Sequence, residues 1–173
     1  MQIKDTVMEK RISGKVFMFG KNVDTDQIYP GRFVQYTDVE DVKKYAMHGA
    51  DEKFVEKVNN GDIIIAGTNF GCGSSREHAA ITLKAVGIGV ILAESFGRIF
   101  YRNAINLGLP VVICPEISSL VKDGENLNVD LEKGIVSNEN GKIAQIEPFS
   151  KYVLNILENG GIKELIKKQL KEK

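Results

Sequence analysis

Three apolar runs separated by two helical stretches, between residues 63 and 113, limit this chain to a small set of folds. Ile63-Ile64-Ile65-Ala66, residues 88–93 and residues 109–113 read as strands. Residues 77–86 and 95–106 carry apolar positions at helical spacing, and Gly108 ends the second of them. A strand with one wet face alternates apolar and polar side chains. These runs are nearly continuous, so both faces of their sheet must be covered. Strand–helix–strand units of this length form parallel crossovers, which gives an α/β fold with a parallel central sheet.

After Pro115 the pattern changes. Residues 127–131, 134–137 and 143–146 are short strands separated by turn residues, the mark of a second, largely antiparallel sheet. Residues 151–157 and 162–170 read as closing helices broken at Gly160-Gly161. Ahead of the parallel core, residues 15–19 form an apolar strand between glycines, and residues 21–37 are polar and turn-rich. Residues 38–47 have acids early and lysines late, the charge order of a helix, and residues 51–58 add a turn or two. Residues 1–12 are expected to form a flexible, mixed-charge arm, leaving 13–173 as a single domain.

The chain has 173 residues, enough to bury a core without disulfide or metal staples. Its 23 Lys and Arg balance 23 Asp and Glu, so no long-range field points to nucleic acid or to a membrane surface. No apolar stretch has the length of a membrane span and the N-terminus has no signal-peptide core, so a cytoplasmic protein is expected. Of the two cysteines, Cys114 follows an apolar run and is expected to pack as a small hydrophobe, while Cys72 lies in a glycine-rich loop. Two thiolates are too few for an iron–sulfur cluster, and no metal ligands are assigned to this chain.

That loop, Gly71-Cys72-Gly73-Ser74-Ser75-Arg76-Glu77-His78, joins a buried strand to a helix at the end of the sheet where open α/β folds place ligands. Glycines allow a sharp turn and close approach to a bound group. Serines at a helix N-terminus favour negative charge, and Arg76 can hold a carboxylate or phosphate with a fork of donors. The same residues also fit a Ser-x-x-Glu capping box, in which Ser74 caps the helix and Glu77 reciprocates. Both readings stand at this level. The loop lacks the third glycine of a dinucleotide fingerprint and the Gly-Lys-Ser/Thr ending of a P-loop, which disfavours nucleotides.

Taken with Asp24-Thr25-Asp26 and Ser95-Phe96-Gly97-Arg98-Ile99-Phe100-Tyr101-Arg102-Asn103, this loop resembles the aconitase superfamily. More narrowly, the chain is similar to the small-subunit family of 3-isopropylmalate dehydratases, from Gly14 to the C-terminal helix. The resemblance implies a three-layer β/β/α swivelling domain. It implies a hydro-lyase active only with a large subunit that carries a 4Fe–4S cluster, and a small dicarboxylate hydroxy acid as substrate in leucine biosynthesis. By the same resemblance Ser74 is the catalytic base, Ser75 and Arg76 bind the substrate carboxylate and support the base, and Gly73 contributes to substrate binding. A serine hydroxyl is a weak acid, so the helix N-terminus, loop N–H groups and Arg76 are expected to stabilise its alkoxide.

In that family the loop after Asp24-Thr25-Asp26 reads the variable end of the substrate; here it is Arg32-Phe33-Val34-Gln35-Tyr36. Homoaconitase small subunits carry an arginine where Gln35 falls, and the isopropylmalate enzymes an apolar residue. Without a positive charge, a third substrate carboxylate would be poorly compensated in a closed site. Phe33, Val34 and Tyr36 are expected to line an alkyl pocket, and Gln35 leaves room for a related alkylmalate such as 2,3-dimethylmalate. Asp26 fits either the site or an Asx turn; Arg32 meets substrate or solvent. His78 is expected to be structural and hydrogen-bonded, His48 a surface residue at a helix end, and Phe96, Phe100 and Tyr101 core residues. A stand-alone carboxylate- or phosphate-binding domain is the competing reading from another class, and an RNA-binding role is disfavoured by the neutral charge.

Overall fold

The four side chains of β2 (Ile63–Ala66) are all buried, as are those of β3 (Val90–Ala93), because the sheet they form is covered on both faces. The computed structural model describes residues 10–172. Ile64, Ala66, Ile91, Ala93 and Val111 belong to one core, with Met47, Leu83, Phe100, Ala104 and Leu157. Ile63, Ile65, Val90, Leu92 and Val112 belong to a second core, with Leu127, Val129 and Val136. Alternate residues of one continuous apolar run thus serve opposite faces. The result is the expected three layers: helices, parallel sheet, antiparallel leaf.

Among the described residues seven strands run in the order β4-β3-β2-β1-β5-β6-β7, where β1 is Arg11–Met18, β4 Val111–Ile113, β5 Asn126–Asp130, β6 Ile135–Asn138 and β7 Gly141–Gln145. The two sheets share β1. Its residues Val16–Met18 pair in parallel with β2, while Arg11–Lys15 pair antiparallel with β5. Of the arm expected over residues 1–12, residues 1–9 lie outside the described residues. Arg11 and Ile12 already belong to β1, and Ile12 is buried in the second core.

The helices between the strands are α4 (His78–Ala85) and α5 (Arg98–Leu107), and α7 (Lys151–Glu158) and α8 (Ile162–Lys171) pack against α5. Smaller pieces are α1 (Thr25–Ile28), α2 (Val39–Val42), α3 (Phe54–Lys57) and α6 (Ile117–Leu120). The helix expected over residues 38–47 is shorter. Asp38 caps α2 through the Glu40 N–H, a 3-10 turn follows over Lys43–Tyr45, and Met47 turns left-handed at φ +55°. The chain breaks there because the Met47 N–H donates to the Ile28 carbonyl (2.8 Å) and the Gly49 N–H to the Gln27 carbonyl (2.9 Å). These two bonds fasten residues 45–49 onto α1. Among the described residues no helix is long and apolar enough to cross a membrane.

Candidate active site

Two loops meet beyond the carboxyl ends of β1 and β2. Asp24 and Cys72 form an isolated parallel bridge, and the Thr25 N–H donates to the Cys72 carbonyl (2.8 Å). On the other side Phe70 bridges Phe96, and the Gly97 N–H donates to the Phe70 carbonyl (2.8 Å). The glycine-rich loop is therefore held between the start of α1 and the entry to α5. Gly71 has φ +78°, and a Cβ there would fall 2.3 Å from Cγ of the buried Phe100 ring, so only glycine fits.

The start of α1 carries an Asp24-x-x-Gln27 capping box. The Gln27 N–H donates to Asp24 Oδ1 (2.8 Å) and the Asp24 N–H donates to Gln27 Oε1 (3.0 Å). This cap places Thr25 at the first helical position, 3% exposed, against the glycine-rich loop. The Ser74 N–H donates to Thr25 Oγ1 (3.1 Å), and the two hydroxyl oxygens lie 3.0 Å apart. Ser74 and Ser75 are exposed, and Cys72 is half-buried.

Arg76 ties this loop to the next turn. Its Nη1 donates to Asp26 Oδ1 and to the Tyr29 carbonyl, both at 3.2 Å. The Gly31 N–H donates to the same Asp26 oxygen (2.8 Å). That N–H, and then the Arg76 guanidinium, hold the Asp26 carboxyl below the usual carboxylate value. Asp26 is thus both a turn residue and a partner of Arg76, which joins the two alternatives the sequence left open.

The Ser74–Glu77 capping box, one of the two readings the sequence left open, does not form. Helix α4 starts at His78, with no side-chain cap, and Ser74 and Ser75 lie upstream of it. Gly73, at φ +102°, turns the chain so that Ser74 bonds to Thr25 instead. The dipole of α4 therefore does not reach Ser74, because its effect fades beyond the first turn. Thr25 is the side chain that meets Ser74, while the Arg76 guanidinium is held by Asp26 and the Tyr29 carbonyl.

The variable loop has its own framework. Gly31–Phe33 is a 3-10 turn, and the Tyr29 hydroxyl donates to the Phe33 carbonyl (2.8 Å). Phe33 stacks on Tyr45 with ring centroids 3.8 Å apart, and the Arg32 guanidinium lies 4.6 Å from the Phe33 centroid. Tyr36 also stacks on Tyr45, at 5.4 Å. Val34 is half-buried and Gln35 exposed. His48 is half-buried and edge-on to Phe33 (5.3 Å), and so is part of this cluster rather than a surface residue at a helix end. His78 stacks on Tyr29 at 5.4 Å, a structural role by stacking instead of the expected hydrogen bond. Phe100 and Cys114 are buried as expected, and burial pushes the Cys114 thiol up.

The structure brings Asp26, Gly73, Ser74 and Arg76 together around Thr25, which stands in the Asp24-Thr25-Asp26 motif but carries no role of its own in the sequence, and around Tyr29; Ser75 is exposed on the same loop. The signal for Thr25 was present: Asp24-x-x-Gln27 ahead of apolar Ile28-Tyr29 is an N-terminal helix signature.

An α/β domain with serine hydroxyls and an arginine on one glycine-rich loop is a broad class; relatives narrow it. Residues 20–116 match the aconitase C-terminal domain family. The 3-isopropylmalate dehydratase small subunit 1 of Methanopyrus kandleri is 50% identical over 94% of this chain and 96% of that protein. The isopropylmalate/citramalate isomerase small subunit of Methanocaldococcus jannaschii is 48% identical over 95% of this chain and 99% of its own length. A crystal structure of 3-isopropylmalate dehydratase from Methanocaldococcus jannaschii superposes with a TM-score of 0.86 at 43% identity, over 92% of this chain and 95% of that one. By sequence and by fold the chain belongs to the aconitase superfamily, and within it to the family of 3-isopropylmalate dehydratase small subunits.

Proposed function

We propose that this chain is the small subunit of a two-subunit hydro-lyase that interconverts 2- and 3-isopropylmalate by dehydration and rehydration, with Ser74 as its base. The observation that carries this reading is the Ser74–Thr25 pair beside Arg76. Thr25 Oγ1 accepts the Ser74 N–H, and a hydroxyl has one proton and two lone pairs. The Thr25 proton is then free to point at Ser74 Oγ, 3.0 Å away. A donor aimed at that oxygen favours its alkoxide, and the Arg76 cation adds to the effect. Ser74 Oγ takes the proton from the carbon beside the substrate carboxylate and returns it on the reverse limb. Ser75 and Arg76 hold that carboxylate, and Asp26 with the Tyr29 carbonyl keeps the guanidinium in place.

The iron–sulfur cluster of this chemistry belongs to the partner. Among the described residues no group of three or more His, Cys, Asp or Glu side chains is gathered to hold a metal ion. This chain supplies the base, the carboxylate clamp and the substrate-reading loop, in the cytoplasm. Uncharged, exposed Gln35 favours an alkyl substituent over a third carboxylate. A homoaconitase small subunit from Methanothermobacter thermautotrophicus is 47% identical, so the substrate panel must include homoaconitate.

The test is anaerobic turnover of 3-isopropylmalate, citramalate, 2,3-dimethylmalate and homoaconitate by this chain mixed with a cluster-bearing large subunit, with each chain alone as control. Turnover of isopropylmalate is expected only with both chains, and Ser74→Ala should lower kcat by about 10²–10⁴ while ligand binding survives. Turnover by either chain alone, or an active Ser74→Ala complex, would sink the proposal.

A further inference from the structure

Tyr45 lies outside the loop that varies with substrate, yet both aromatic residues of that loop rest on it. Phe33 stacks on the Tyr45 ring at 3.8 Å with planes 13° apart, and Tyr36 stacks at 5.4 Å with planes 16° apart. Between these two anchors lie only Val34, half-buried, and Gln35, exposed. Tyr45 is itself fixed from below. The Met47 and Gly49 N–H groups bond to the Ile28 and Gln27 carbonyls of α1, the helix that also carries Thr25 and Asp26. A Cβ on Gly49 would fall 2.6 Å from the Gln27 Cα, so the two segments touch backbone to backbone. His48 closes the cluster edge-on, 5.3 Å from Phe33 and 5.9 Å from Tyr45. At the other end the Gly31 turn lies against Arg76: a Cβ on Gly31 would be 3.1 Å from Nη1.

We infer that Tyr45 is a positioning residue for substrate choice, a platform that sets where the Val34–Gln35 bridge stands relative to Arg76. The inference rests on the proposed function, and it deepens it. Two contact points at the ends of a two-residue bridge leave the bridge little room to shift. A binding pocket discriminates alkyl groups by fit, so a bridge that drifts loses discrimination before it loses chemistry. The ring contacts of Tyr45 are with Phe33, Tyr36 and His48, whereas Ser74 Oγ meets Thr25 Oγ1, so the proton-transfer pair is expected to stay as it is.

The experiment uses the reconstituted two-subunit enzyme with Tyr45→Leu and Tyr45→Phe. Tyr45→Leu is expected to raise KM for 3-isopropylmalate and to lower the kcat/KM preference for isopropyl over methyl substituents by about tenfold. Its kcat should stay within about threefold of wild type. Tyr45→Phe keeps the ring and should keep the preference. Amide hydrogen exchange on the small subunit alone gives a readout independent of activity. Tyr45→Leu should speed exchange at Val34 and Tyr36, whose N–H groups bond to the Gly31 and Phe33 carbonyls, and leave Ser74 unchanged. A uniform loss across substrates, unchanged exchange at Val34 and Tyr36, or an equal defect in Tyr45→Phe would overturn the platform role. A wild-type complex that turns over no alkylmalate would instead overturn the proposed function, and the platform role would fall with it.

Discussion

Replacing Thr25 by valine isolates a single hydroxyl. The two side chains have nearly the same shape, so a residue only 3% exposed keeps its packing, and what is lost is polar. Two contacts go: the Ser74 N–H bond at 3.1 Å and the hydroxyl pair at 3.0 Å. At about 0.5–1.5 kcal/mol net per hydrogen bond, stability falls by about 1–3 kcal/mol. In a chain of this size the melting temperature drops about 2–4 °C for each kcal/mol. The effect on rate should be larger. If Thr25 donates to the developing Ser74 alkoxide, its removal costs about 10²–10³ in kcat, the usual toll for one oxyanion donor. Thr25→Ser retains the hydroxyl and loses one methyl, so it should keep kcat within about tenfold while costing about 0.5–1.5 kcal/mol of stability. The assay is kcat and KM of the two-subunit enzyme, read from the absorbance of the dehydrated alkene, beside thermal melts of each small subunit. A folded Thr25→Val enzyme that keeps kcat within about threefold, or a Thr25→Ser enzyme that falls as far as Thr25→Val, would refute the donor role of Thr25.

Two further outcomes follow from the same loops. Gly71→Ala drives a Cβ into the Phe100 ring at a backbone φ of +78°, so it should destabilise the chain by about 1–3 kcal/mol or more and lower activity with it; a melt equal to wild type would contradict the packing described. The Asp26 carboxyl lies below its unfolded value of 3.8, so its contribution is present above that pH and is lost as pH falls through the lower folded value. The melting difference between wild type and Asp26→Asn, measured at low salt, should therefore shrink below about pH 4. A difference that grows on acidification would reverse the sign of this reading.

The parallel core was legible because its signal is local. Ile63–Ala66 reads as a doubly covered strand from composition alone, and its side chains do divide between two cores. The roles proposed for Ser74, Ser75 and Arg76 were legible only through resemblance, since Ser74-Ser75-Arg76-Glu77 is by itself an equally good helix cap. What defeated the cap was a tertiary competitor. Thr25, about fifty residues earlier, takes the Ser74 N–H once Gly73 turns the loop. The aromatic platform was invisible for the same reason. Tyr29, Phe33, Tyr36, Tyr45 and His48 follow no single periodicity, and only the fastening of residues 47 and 49 onto α1 brings them together.

The shared strand β1 also determines when this protein can become itself. Arg11 pairs with Asp130, 119 residues away, while Val16 pairs with Ile63 on the opposite flank. Loop closure over such spans is slow, and no local nucleus can replace it. During synthesis the parallel half lacks its second cover until the last strands emerge, so its inner apolar face stays open to water and to other chains. A small subunit made without its C-terminal third would be an aggregation hazard, not a smaller enzyme.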